Sequence, residues 1–151
     1  MFVCMIGIWL KTGHDPLESH YHKSKFKTIY NLCEYLKNST PLDAVIFSNV
    51  DGNLNDVYIN FALKIFGQRA TFSEQAFPFS ESYLREYMDR SNLYNSYPSL
   101  NKKEIKLLKQ NYNVTHFLVR DSKILGYSEN SYSWKGGNLV LFEVDKFFEL
   151  M

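Results

Sequence analysis

The sequence predicts an α/β domain, built as a layered, mainly parallel sheet of about four strands with flanking helices. Three observations predict it. Short apolar runs of strand length alternate with stretches of helical periodicity. Turn residues separate the two kinds of segment. No repeat, linker or low-complexity stretch divides the chain, and 151 residues suit one domain better than two.

The elements follow in order. Asp15-Pro16-Leu17-Glu18 offers a capping residue, proline at the first helical position and an acid at the third. Phe26, Ile29, Leu32, Cys33 and Leu36 then recur at helical spacing to about Asn38, and Pro41 ends the segment. Asp43 to Ser48 carries three consecutive large apolar residues, which suits a strand covered on both faces. A turn-rich stretch from Asn49 to Asn53 follows. Tyr58, Phe61, Ala62 and Ile65 mark the buried face of a second helix, stopped by Gly67.

Arg69 to Glu74 reads as the second strand, and Phe77-Pro78-Phe79 as a loop. Ser80 caps a helix carrying Leu84, Tyr87 and Met88. Asn101 with Glu104 forms a capping box that opens a helix burying Ile105 and Leu108. Val114–Val119 is the third strand and Leu139–Val144 the fourth, with Gly136-Gly137-Asn138 as a turn before it. Strand, helix, strand, helix, helix, strand is a Rossmann-like rhythm. Residues 12–151 are therefore expected to form the single domain.

Residues Phe2 to Leu10 form an unbroken apolar run closed by Lys11. About twenty apolar residues are needed to span a bilayer, so this run cannot do so alone. It also lacks the basic leader and the cleavage site of a signal peptide. Two readings stay open at this point. The run is a buried first strand, or residues 1–11 are the end of a transmembrane helix with Trp9 and Lys11 at the interface.

Composition excludes several functions. Seventeen basic residues against 16 acidic give a net charge of +1, and neither half of the chain is polarised. That balance argues against nucleic acid or an anionic membrane surface as the main partner. Cys4 and Cys33 have no partner at ligand spacing, and His20 and His22 point to different sides of a helix. No structural metal and no cofactor are expected. There is no glycine-rich phosphate loop and no nucleophile elbow.

One motif is misleading. Ala44 to Leu54 (AVIFSNVDGNL) is close to the strand-and-loop signature of haloacid dehalogenase-type phosphatases. That chemistry needs a carboxylate nucleophile to accept the phosphoryl group. The nucleophile position holds Asn49, whose uncharged amide cannot form an aspartyl phosphate; Asp51 stands at the second acidic position. The family's later acidic pair is reduced to Asp121. No catalytic residue is assigned. Asp51 and Glu74 are both expected at the carboxyl ends of the first two strands, where α/β sheets tend to bind ligands. Two Asn-x-Thr triplets, at Asn38 and Asn113, match the glycan-acceptor pattern.

Several segments in order resemble a known family. They are Trp9-Leu10-Lys11; Asn38-Ser39-Thr40-Pro41-Leu42-Asp43-Ala44-Val45-Ile46-Phe47; Gly67-Gln68-Arg69; Phe77-Pro78-Phe79 with Glu86-Tyr87 and Arg90; Tyr112 to Val119; and Tyr127-Ser128-Glu129-Asn130 ahead of Leu139–Val144. Together they resemble the extracytoplasmic α/β tail of bacterial multi-spanning membrane proteins of the GT-C glycosyltransferase-like class, which use lipid-linked sugars. The family's catalytic acids lie between early transmembrane helices, and this chain holds none of that region. The resemblance implies a non-catalytic domain on the periplasmic or extracellular side, attached to the membrane through residues 1–11. It also favours the helical-stub reading of Phe2–Leu10 over a paired strand. Asn49, Asp51, Arg69 and Glu74 are candidate ligand contacts, with Phe77 and Phe79 as stacking faces for a saccharide or lipid-linked sugar. A degenerate phosphatase-like domain and a soluble interaction domain are the alternatives.

Overall fold

A computed structural model describes residues 16–48, 50, 54–72, 81–96, 100–123 and 127–151. For residues 16–25, 54–58, 81–84, 87 and 123 only the backbone is described. The described helices are α1 (Pro16–Ser39), α2 (Leu54–Ile65), α3 (Glu81–Asn95), α4 (Lys102–Tyr112) and α5 (Val144–Leu150). The strands are β1 (Val45–Ser48), β2 (Ala70–Phe72), β3 (Val114–Arg120), β4 (Trp134–Gly136) and β5 (Leu139–Glu143), in the order β2-β1-β3-β5-β4.

The α/β class stands, but the sheet is neither four-stranded nor mainly parallel. It has five strands; β1 pairs in parallel with β2 and β3, while β5 pairs antiparallel with β3 and β4. The cause lies between β3 and β4. A parallel return needs a crossover of a dozen or more residues, usually a helix. Between β3 and β4 the described residues hold only short 3-10 turns at Asp121–Lys123 and Glu129–Ser131. The chain instead turns back through a hairpin whose two loop residues are Gly137 and Asn138. Gly137 has φ +57°, at the first loop position, where a type II′ turn needs a left-handed residue. Only three residues long, β4 has no apolar run to announce it, and Val144, read as strand, opens α5 instead.

Burial divides by strand parity. Ile46, Leu118, Leu139 and Leu141 turn to one face and meet Leu32, Cys33 and Leu36 of α1 and Ile59 and Leu63 of α2. Phe47, Phe117, Val140 and Phe142 turn to the other and meet Tyr94 of α3, Ile105 and Leu108 of α4, and Phe147 of α5. The second face is a run of aromatic rings. Phe72, Phe47 and Phe117 follow one another at 5.5 and 5.1 Å, and Phe117 stacks on Phe147 at 4.5 Å. Offset stacking of this kind adds to the area that each ring buries.

The helix faces match the sequence unevenly. Ile105 and Leu108 are buried and the capping box closes reciprocally: Glu104 N donates to Asn101 Oδ1 (3.1 Å) and Asn101 N to Glu104 Oε2 (2.8 Å). Phe26, Phe61 and Ile65, read as core positions, are instead exposed, as is Met88. In α2 the buried side is that of Ile59 and Leu63, rotated from the stripe read in the sequence. Gly67 also acts differently. The left-handed residue after α2 is Gln68, at φ 52°, while a Cβ on Gly67 would lie 2.7 Å from Leu63 O. Close approach, rather than φ, requires that glycine.

Thr115 holds β1 to β3 where their register slips between Val45 and Ile46. Its Oγ1 accepts from Val45 N and donates to Val45 O, both at 3.1 Å. Beside it, His116 is buried, with Nδ1 2.8 Å from Thr115 Oγ1. Burial lowers its pKa against the opposing pull of Glu143, its cross-strand neighbour.

Arg69 ties the ends of α1 and α2 together from a position only 3% exposed. Nε donates to Thr40 Oγ1 (2.9 Å), Nη2 to Thr40 O (2.7 Å) and Lys37 O (3.1 Å), and Nη1 to Gln68 O (2.9 Å) and Gly67 O (3.4 Å). A cation here satisfies carbonyls that a helix C-terminus leaves open and faces the negative end of the dipole. Replacing Arg69 with Met should cost about 3 kcal/mol in urea denaturation, the scale of lost charge-assisted hydrogen bonds. Arg69→Lys should recover less than half, because an ammonium cannot reproduce the planar five-donor fork. A loss below about 0.5 kcal/mol for Arg69→Met would remove this clamp from the account.

Candidate functional site

The strand order places a topological switch between β1 and β3. From β1 the chain crosses over α2 to β2 on one side, then over α3 and α4 to β3 on the other. Two crossovers leaving in opposite directions open a crevice at the carboxyl ends of the strands, the usual ligand position in such sheets. Ser48 ends β1 there, and its register partner Leu118 lies two residues before Arg120.

The described groups next to the end of β1 are polar and uncharged. Ser48 is 0% and Asn60 6% exposed. Tyr94 Oη donates to Ser48 O at 2.8 Å, and Asn60 Nδ2 approaches the same carbonyl at 3.5 Å. That carbonyl is thus met from both layers, by α2 on one face and α3 on the other. Ser48 Oγ and Asn60 Oδ1, however, are buried with no hydrogen-bond partner among the described residues. A buried polar group left unsatisfied costs about 1–3 kcal/mol, so both atoms call for an explanation.

The sequence-derived candidates divide cleanly. Asn49 and Asp51 follow Ser48 directly in the chain, but they, Glu74, Phe77 and Phe79 lie outside the described residues, as does Phe2–Leu10. Arg69 lies within them, and all its donor directions are taken up by the carbonyls and hydroxyl named above. Ser48, Asn60 and Tyr94 were missed as a group. The available signal was Asn60, an amide in the otherwise apolar Val57-Tyr58-Ile59-Asn60-Phe61 stretch, whose helical phase read from the sequence was rotated.

A second cluster stands further along the same edge. Asp121 follows β3, and its Oδ1 accepts from Tyr127 Oη while Oδ2 pairs with Lys135 Nζ of β4 at 2.9 Å. Lys135 Nζ also donates to Tyr127 Oη at 3.0 Å. Hydrogen bonds from Tyr127 and then Lys135 hold the Asp121 carboxyl below the usual carboxylate range. The same contacts, Tyr127 first, raise Lys135, while burial and Asp121 raise Tyr127. A raised phenol and ammonium beside a lowered carboxyl hold their charge states through neutral pH. This describes a clasp closing the 121–135 segment, with no group poised to move a proton.

Among the described residues, no three or more His, Cys, Asp or Glu side chains converge as metal ligands, and no helix is long and apolar enough to cross a membrane. Comparison with protein-family models, curated proteins and solved structures finds no match to this chain.

The clasp is testable by carboxyl NMR. Asp121 should titrate below the ordinary aspartate range and move upward in Lys135→Met and in Tyr127→Phe. Because its native carboxyl is depressed, the clasp stabilises fully above the ordinary aspartate pKa and is lost as pH falls through the lowered value. A midpoint indifferent to both substitutions would show the three groups to be uncoupled.

Proposed function

We propose that the chain is a non-catalytic, ligand-positioning α/β domain of a membrane glycosyltransferase-like protein. In this reading it stands on the extracytoplasmic side, is attached through its N-terminal apolar segment, and takes the hydroxyl-rich part of a lipid-linked sugar at the carboxyl edge of β1 and β3. One observation carries the binding part. Ser48 Oγ and Asn60 Oδ1 are neutral, buried and without a partner among the described residues, at a switch point of Rossmann-like β2-β1-β3 order. A hydroxyl can both donate and accept, and an amide oxygen accepts; a saccharide hydroxyl complements both. Charged substrates would seek fixed countercharges, which this pair does not supply.

The chemistry of the edge also supports the non-catalytic part. Asn49 replaces the carboxylate that a phosphatase would use as nucleophile. Ser48 Oγ has no hydrogen-bonded base among the described residues, as an activated hydroxyl nucleophile would need. The ordered resemblance to GT-C tails supplies the membrane setting and the sugar class.

Calorimetric titration of the full chain with a hexose, an N-acetylhexosamine and a hexose 1-phosphate tests the site. Saturable binding by at least one is expected. Asn60→Leu should abolish it with the melting temperature nearly held, since the amide gives up only a long 3.5 Å contact to Ser48 O and loses an unsatisfied oxygen. No binding by any of the three, or binding indifferent to Asn60→Leu, would overturn the sugar-site reading. Mg²⁺-dependent release of phosphate that disappears in Asp51→Asn would replace it with the phosphatase reading. Hydrophobic segments in frame upstream of Met1 would support membrane attachment, and a ribosome-binding site abutting Met1 would count against it.

A further inference from the structure

The face of α1 and α2 turned away from the sheet has the composition of a membrane-surface contact, and no step of the sugar reading uses it. The two helices lie side by side, with Cys33 Sγ 3.5 Å from Ala62 O and Arg69 joining their C-terminal ends. Tyr30 and Phe26 stand one and two turns before Cys33 on the α2-facing flank. Phe61 precedes Ala62, and Ile65 stands one turn beyond it. These four side chains therefore lie along the exposed side of the two adjoining helices. They are 67% (Phe26), 61% (Tyr30), 51% (Phe61) and 51% (Ile65) exposed. Exposed apolar residues gathered in one place mark an interaction surface, whereas scattered ones need no explanation.

Charge decides the occupant. Among the described side chains of the two helices, the charged ones are Lys27, Lys37, Lys64 and the half-buried Glu34. All three lysines are exposed. Protein interfaces are depleted in lysine around their apolar centre. Aromatic and aliphatic side chains ringed by lysine instead suit the boundary between lipid headgroups and acyl chains. There the rings enter the interface and the ammonium groups meet phosphate. The net charge of +1 is a sum over the whole chain and is compatible with such a local excess.

We propose that the outer face of α1 and α2 lies against a lipid surface bearing anionic headgroups. The inference stands on these two helices and is independent of the sugar site. Co-sedimentation of the full chain with phosphatidylglycerol–phosphatidylcholine vesicles, and with phosphatidylcholine vesicles alone, tests it. Phe2–Leu10 is present in every variant, so its own contribution cancels in the comparison. The combined variant Lys27→Glu/Lys37→Glu/Lys64→Glu should lower partitioning onto the anionic vesicles at least tenfold. Phe61→Ser/Ile65→Ser should lower it on both vesicle types. Both variants alter exposed side chains; because Lys37 and Lys64 lie in the last turns of their helices, Lys27→Gln/Lys37→Gln/Lys64→Gln, which sets no acid at a helix C-terminus, should keep the parent melting temperature and still lower partitioning onto the anionic vesicles. Wild-type chain that sediments with neither vesicle overturns the proposal, as does partitioning unchanged in the variants. A vesicle-free dimer, seen by analytical ultracentrifugation and dissolved by the same substitutions, would assign the face to a second copy instead.

Discussion

Strand β1 is enclosed on both faces, and both parallel pairings of the sheet pass through it. Ile46 fits among the side chains of α1 and α2, Phe47 fits among the aromatic rings under α3 and α5, and each is 0% exposed. A strand buried on two sides cannot slip by one residue without exchanging its two core sets, so its register is fixed by packing. The one irregularity, between Val45 and Ile46, is where Thr115 supplies a hydroxyl to both backbone groups of Val45. The other elements take their places from this strand. Arg69 closes the α1 and α2 layer against it, and the rings of Phe72 and Phe117 flank Phe47 on the opposite layer.

The same enclosure explains where chemistry is concentrated. At its carboxyl end β1 runs out between two crossovers, and its last carbonyl is met by Tyr94 from one layer and Asn60 from the other. A rigid, two-layered support under a pair of unpartnered polar atoms favours holding a ligand in one orientation. By contrast, the Asp121–Tyr127–Lys135 cluster is satisfied within itself and closes the antiparallel side of the sheet. One edge therefore holds two clusters of different kinds, a buried pair with unpartnered atoms among the described residues and a closed electrostatic clasp. The outer face of α1 and α2 is spatially separate from both.

Legibility in the sequence followed the length and phase of each signal. Val45–Ser48 and Val114–Arg120 were readable because their apolar runs are dense and bounded by turn residues, and the Asn101–Glu104 box because capping is a local pattern. The antiparallel half was not, although Gly136-Gly137-Asn138 was visible as a turn. Trp134-Lys135-Gly136 is too short and too polar to read as a strand, and strand direction depends on the connection behind it. Helix faces failed where aromatic residues lie on the outside: Phe26, Phe61 and Ile65 imitate a core stripe by type while Ile59 and Leu63 form the real one. At the site, the carboxyl end of β1 was legible as a location. The pairing of Ser48 with Asn60 was not, because a buried amide twelve residues away follows from the crossover and not from spacing.

Native-state hydrogen exchange tests the central claim, that two-sided burial of β1 organises the molecule. The account predicts that the amides of Ile46, Phe47 and Leu118 exchange only through global unfolding, with the denaturant dependence of the whole chain, while those of the β4–β5 hairpin near Gly137 open at lower free energy. If Ile46 and Phe47 instead exchanged as readily as the hairpin, β1 would not be the element on which the rest depends.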